Sequence, residues 1–77
     1  MNVDVFRPLE INIWDRNAPM TDGWVDCEPF LTYSDGSFAV QFTDRDGMNN
    51  WFNINLIGDI IGLEGRVGRV RNKEGKE

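Results

Sequence analysis

Phe30-Leu31-Thr32-Tyr33-Ser34-Asp35-Gly36-Ser37-Phe38-Ala39-Val40-Gln41-Phe42 is the stretch that decides the fold. Two runs rich in aromatic and β-branched residues flank Asp35-Gly36. Asp-Gly between such runs is the preferred two-residue type I′ hairpin turn, because both central residues need positive φ. A two-residue turn fixes the pairing. Tyr33 faces Phe38, Leu31 faces Val40 and Pro29 faces Phe42, all on one side of the hairpin. Ser34 with Ser37, Thr32 with Ala39 and Phe30 with Gln41 take the other side. Apolar pattern and turn chemistry agree, and that agreement is what specifies a register.

The next run continues the pattern. Residues 51–56 alternate, with Phe52, Ile54 and Leu56 on one face and Trp51, Asn53 and Asn55 on the other. The asparagines and the two-residue period argue for a strand over a helix. If the 44–50 loop sets Phe52 opposite Phe42, three apolar rows follow: Pro29/Phe42/Phe52, Leu31/Val40/Ile54 and Tyr33/Phe38/Leu56. Upstream, residues 9–14 form a strand offering Leu9, Ile11 and Ile13. Downstream, residues 63–70 form a Gly-rich strand with Val67 and Val70 for burial, and residues 57–62 make a short helical turn or a bend.

A three-stranded meander leaves its apolar face wet unless other strands cover it. The expected fold is therefore all-β: a small five-stranded antiparallel meander or half-barrel in one domain over residues 1–71. Residues 72–77 form a polar, frayed tail. The strand order is that of an SH3-like barrel. The likeness is one of topology alone, since the acidic stretch lacks the aromatic-rich strand and tryptophan pair of the peptide-binding SH3 family. Folds of this kind host many unrelated functions.

Composition narrows the class of activity. Of 77 residues, 40% are hydrophobic and 12% aromatic, too rich for a disordered chain. The single Cys27 excludes an internal disulfide and favours a reducing compartment. Histidine is absent, which removes the commonest general base and zinc ligand and any Ser–His or Cys–His nucleophile pair. No enzyme, metal or cofactor is expected. The N-terminal residues lack a basic then apolar leader pattern, and no apolar run approaches the ~18 residues of a membrane span, so the expected location is cytoplasmic.

Charge is split along the chain. Residues 1–65 hold eleven acids against three bases, a net −8, while residues 66–77 hold five bases against two acids, a net +3, giving the −5 of the whole. An acidic body attracts basic surfaces, and a short basic end can do the reverse. The acids Asp15, Asp22, Asp26, Glu28, Asp44 and Asp46 gather in loops, with Trp24 among them as a possible anchor. Solvation is their plain role. Their sharper role is to stand in for a phosphate backbone and occupy the Lys/Arg sites of a nucleic-acid-binding protein. In size, charge and lack of histidine the chain resembles phage-encoded mimics that block restriction or CRISPR complexes, a likeness that no residue motif carries.

Three further features have competing readings. Asp44 to Asn50 has an Asp-rich look, but its Gly47 and Trp51 stand at the wrong places for an EF-hand, and Asp, Gly and Asn suit a turn. Gly58, Gly62, Gly65 and Gly68 match no phosphate loop and suit bends and bulges in a curved strand. Trp14, Trp51 and Phe30 are out of phase with the apolar faces. They make either a binding surface or, closed by Trp24 and the acidic loop at 15–23, a second small core.

The functional expectation is a non-enzymatic interaction module whose acidic surface binds a protein with a basic site. Its most concrete form is an inhibitor of a nucleic-acid-handling complex acting by occlusion or mimicry. The alternative is weak nucleic-acid binding by Arg66, Arg69 and Arg71 with Phe30 and Trp51 as stacking platforms. Those bases can equally salt-bridge the acidic body or protect an edge strand. A third possibility is an adaptor that lends its edge strand to another chain.

Overall fold

The computed structural model describes residues 3–15, 18–61 and 65–73, the side chain of Asp15 excepted. It is all-β. The strands are β1 (Leu9–Asp15), β2 (Ala18–Pro19), β3 (Val25–Thr32), β4 (Phe38–Thr43), β5 (Asn49–Ile54) and β6 (Arg66–Asn72), all paired antiparallel. Five of them make a curled half-barrel; β2 is a two-residue addition beside β1. The order runs β1–β3–β4–β5, with β6 on the other side of β1. This is the order expected from the sequence. No helix among the described residues is long and apolar enough to cross a membrane.

β3 is the corner. Its first half, from Val25 to Cys27, pairs with β1, and its second half, from Glu28 to Thr32, pairs with β4. The half-barrel is tied across its open side by two single bridges, Ile54 with Ile60 and Asp59 with Arg69. The core inside is built from alternate residues of each strand: Leu9, Ile11 and Ile13; Cys27; Phe38, Val40 and Phe42; Phe52 and Ile54; Val70. Val3, Val5, Met20, Val25 and Ile60 pack against it.

The β3–β4 register corrects the sequence expectation by one residue. Tyr33 N–H donates to Ser37 O at 2.9 Å and Gly36 N–H to Tyr33 O at 3.0 Å, so the loop has three residues, Ser34, Asp35 and Gly36. This is a tight turn followed by a left-handed glycine, with Gly36 at φ 94°. Thr32 therefore faces Phe38, and Leu31 faces Ala39. A one-residue slip moves every side chain to the opposite face, and Leu31 and Tyr33 accordingly lie outside, 47% and 40% exposed. A bulge at Phe30 then restores the phase, so that Pro29 lies opposite Val40.

The β4–β5 register corrects by two. Phe38 faces Ile54, Val40 faces Phe52 and Phe42 faces Asn50, because the loop is again three residues, Arg45 to Gly47. Two is an even slip, so the same face stays inside. Leu56, expected opposite Phe38, lies beyond the strand and is exposed. The same turn recurs a third time. Asn55 N–H donates to Asp59 O at 2.9 Å and Gly58 N–H to Asn55 O at 3.0 Å. Gly36, Gly47 and Gly58, all at positive φ, thus stand at equal intervals of eleven residues. The segment expected as a helical turn or bend is a bend as far as Ile61; Gly62 lies outside the described residues.

β6 is not an edge strand. On one side it pairs with β1 along its whole length; on the other, Val70 N–H donates to Gly58 O at 2.7 Å and Gly68 O accepts the Ile60 N–H at 3.2 Å. Val70 is buried, whereas Val67, expected as its companion in the core, is exposed beside Trp14. Asn72 and Lys73, assigned by the sequence to a frayed tail, are held: Asn72 exchanges two hydrogen bonds with the Asp4 backbone, and Lys73 N–H donates to Pro8 O.

Candidate functional site

The outer side of β3–β4–β5 carries the largest group of exposed aromatics. Because Phe38, Val40 and Phe42 point inward, Ala39 and Gln41 point outward, and their cross-strand partners share that face. One row is Glu28, Gln41 and Trp51; the next is Leu31, Ala39 and Asn53. The bulged Phe30 leans to Trp51, edge to face, with ring centroids 5.8 Å apart and planes at 87°. Phe30 is 46% exposed and Trp51 55% exposed. Ala39 is fully covered, its taller neighbours closing over it. Tyr33 O–H donates to Asn53 Oδ1 at 3.0 Å, which fixes the ring at the border of the patch.

This patch is supported from below by the sheet and is ringed by polar groups. Glu28 lies in the Trp51 row, and Asp26 follows two residues earlier on the same strand. Aromatic rings with a carboxylate beside them suit a guanidinium or ammonium group, which a ring face and an anion both attract. Trp14 is not part of the patch. It pairs with Val67 on the β1–β6 side. Trp24 does not close a second core over Trp51 either, since the Arg71 guanidinium lies 3.8 Å above its ring centroid.

The six candidate acids do not form one face. Asp22, Asp44 and Asp46 belong to the loop end, where Arg45 N–H donates to Met20 O at 2.8 Å and Arg45 Nε stands 3.9 Å from Asp22 Oδ1. Asp44 is used within its own turn. Its Oδ1 accepts the Asp46 and Met48 amides, both at 2.9 Å, and its Oδ2 accepts the Asn50 amide at 2.8 Å. Those donors, Met48 first, hold its carboxyl below the usual range. Asp26 and Glu28 belong to the sheet face, and the side chain of Asp15 lies outside the described residues.

The basic strand is matched by acids. Arg69 Nε is 3.7 Å from Asp59, Arg71 Nε is 2.6 Å from Glu10, and Lys73 Nζ is 2.8 Å from Asp26. Arg66 places its guanidinium 5.3 Å from the Phe52 ring centroid. Arg69 and Arg71 thus sit together on the β1–β6 side, apart from Phe30 and Trp51, so the alternative nucleic-acid set does not form one surface. Cys27 is buried, and burial, followed by Asp26, Glu10 and Glu28, pushes its thiol up to about 12, where it makes no thiolate nucleophile at neutral pH.

Sequence reasoning missed Leu31 and Tyr33 as surface residues, because the one-residue slip hid them. The signal was Ser34 before Asp-Gly, which allows a three-residue loop. A second apolar feature is an open depression of about 320 Å³ between two turns, lined by Asp35, Ser37, Asn55, Leu56, Ile57 and Ile61. It is at the small end of ligand pockets and too open to enclose a molecule. Among the described residues no group of three or more acids or cysteines converges to hold a metal ion. Comparison with protein-family profiles, with curated proteins and with solved structures gives no match.

Proposed function

We propose that this chain is a non-enzymatic interaction module that binds a basic segment of a partner protein on the outer side of β3–β4–β5. The observation that carries the reading is the contiguity of Phe30, Leu31, Tyr33 and Trp51 with Glu28 on one rigid sheet face. Aromatic anchors at the centre of a contact and charges at its rim are the usual division of labour in an interface. Exposed apolar patches on small monomers are commonly functional. An overall charge of −5 steers a basic partner toward the face. In its concrete form the partner is a nucleic-acid-handling protein, and the module inhibits it by occupying Lys/Arg sites that otherwise hold phosphate. Asp22 and Asp46 at the loop end extend the acidic field, whereas Asp44 serves the turn.

The competing reading, direct nucleic-acid binding, also uses Phe30 and Trp51, so one experiment separates the two. The ¹⁵N-labelled protein is titrated with an arginine-rich peptide and, separately, with a single-stranded oligonucleotide. Peptide-induced shifts at residues 28–33, 39–41 and 51–53 are expected, with affinity that falls as salt rises. Trp51→Ala should weaken peptide binding roughly tenfold or more, as loss of an aromatic anchor does, and Glu28→Gln should weaken it less. Tighter binding of the oligonucleotide, with shifts over residues 66–73, would overturn the proposal in favour of the basic strand.

A further inference from the structure

The chain contains three Asp-Gly pairs: Asp22-Gly23, Asp35-Gly36 and Asp46-Gly47. Asp-Gly is the sequence most prone to spontaneous isomerisation, because glycine has no Cβ to block approach to its nitrogen. The Gly nitrogen attacks the Asp Cγ, a C–N bond forms, and the carboxyl oxygen leaves as water. Water then opens the resulting succinimide at either carbonyl. Opening at the α-carbonyl leaves the chain running through the side chain, as isoaspartate. Water lost in the first step is regained in the second, and no other reactant is needed.

The fold treats the three pairs differently. Gly36 N–H donates to Tyr33 O and Gly47 N–H to Asp44 O, each at 3.0 Å, so both nitrogens are held away from attack by the turn hydrogen bond. Asp35 is restrained a second time: its Oδ1 accepts the Ser37 amide at 2.9 Å and the Ser37 hydroxyl at 2.6 Å. Those bonds keep its carboxyl ionised to lower pH, and an ionised carboxylate is the poorer leaving form. Gly23 is the exception. Among the described residues its N–H has no acceptor, and nothing lies within 4 Å of where a Cβ would stand. The Asp22 side chain is 79% exposed, and its contact with Arg45 at 3.9 Å is too long for a hydrogen bond.

We propose that Asp22-Gly23 is the chain's site of isoaspartate formation, and that the recurring turn protects the other two pairs. The product would carry an extra backbone methylene between Thr21 and Gly23. Thr21 Oγ1 donates to Gly23 O at 2.7 Å and accepts the Ile13 amide at 3.2 Å, so the modification would loosen the link between this loop and β1.

The test is long incubation of the folded protein at neutral pH, followed by peptide mapping with fragmentation that distinguishes isoaspartate. A parallel sample is kept in denaturant. In the folded protein, isomerisation at position 22 is expected to be roughly fivefold or more faster than at 46, the factor one net hydrogen bond is worth, with 35 slowest. In denaturant the three rates should converge. Asp22→Glu should abolish the product at 22 and leave the other two rates unchanged. Equal native rates at all three positions, or the same ranking in denaturant, would overturn the proposal.

Discussion

Asp44 uses both of its carboxylate oxygens inside its own turn, and this decides what the residue is for. Three donors converge on it, and they favour the ionised form, so its folded pKa lies below the usual 3.8. A group whose pKa is depressed by folding stabilises the fold above its unfolded pKa and loses that contribution as pH falls through the folded value. Asp35, held by Ser37, acts in the same direction. Acid should therefore weaken the protein below about pH 4, and Asp44→Asn should remove part of that dependence. Urea midpoints measured from neutral to strongly acid pH give the check: wild type falls more steeply than the variant in the acid range. Parallel curves would show that the turn does not depend on the Asp44 charge. The sequence identified Asp44 as acidic and loop-borne, but not that its charge was already engaged by neighbouring amides. Those amides point at it only because Gly47 reverses the chain.

The loop between β1 and β3 is fastened by one buried polar residue. Thr21 is 1% exposed, and its hydroxyl donates to Gly23 O while accepting the Ile13 amide. Thr21→Val keeps the shape and leaves a buried amide unpaired, a loss of about 1–3 kcal/mol, whereas Thr21→Ser should retain most of the stability. Greater destabilisation by Thr21→Ser than by Thr21→Val in chemical denaturation would assign the role to the methyl group instead. At this scale the strands were legible in the alternation of residues 9–14, 38–42 and 51–54, and the outer placement of Trp14 and Trp51 was legible in their phase, whereas Phe30 lies outside through a bulge and not through the expected register. Register was not. It depends on loop length, and Asp-Gly fits both a two-residue loop and a three-residue loop that ends in a left-handed glycine. The odd slip at β3 exchanged inside for outside and brought Leu31 and Tyr33 into the candidate site. The even slip at β5 left Phe52 and Ile54 in the core. A bulge such as that at Phe30 carries no signature in the local alternation of residues.

The last described strand is held on both of its sides. β6 pairs with β1 from Asn72 opposite Leu9 to Arg66 opposite Asp15, is tied on its other side to Gly58 and Ile60, and places Val70 in the core. Near its end, Asn72 and Lys73 bond to Asp4 and Pro8, so the segment before β1 and the end of β6 hold each other. The SH3-like order was visible from the sequence, and so was the charge split. The sequence did not show that the basic segment is folded against the acidic body through Asp59, Glu10 and Asp26. The Arg69–Asp59 and Lys73–Asp26 pairs are largely exposed, and exposed pairs add little to stability; only in Arg71–Glu10 is one partner mostly covered, with the Glu10 side chain 12% exposed. Burial and backbone pairing, rather than charge, should therefore account for what β6 adds. A 77-residue domain has little stability in reserve, so a chain ending at residue 65 should be unfolded. It should show coil-like circular dichroism and a collapsed ¹H–¹⁵N spectrum. Arg69→Gln combined with Lys73→Gln should keep a dispersed spectrum and a urea midpoint close to that of the wild type. A folded truncation would show that β1, β3, β4 and β5 suffice without closure. Unfolding by the charge substitutions alone would show that the ion pairs, and not the backbone pairing, hold β6 in place.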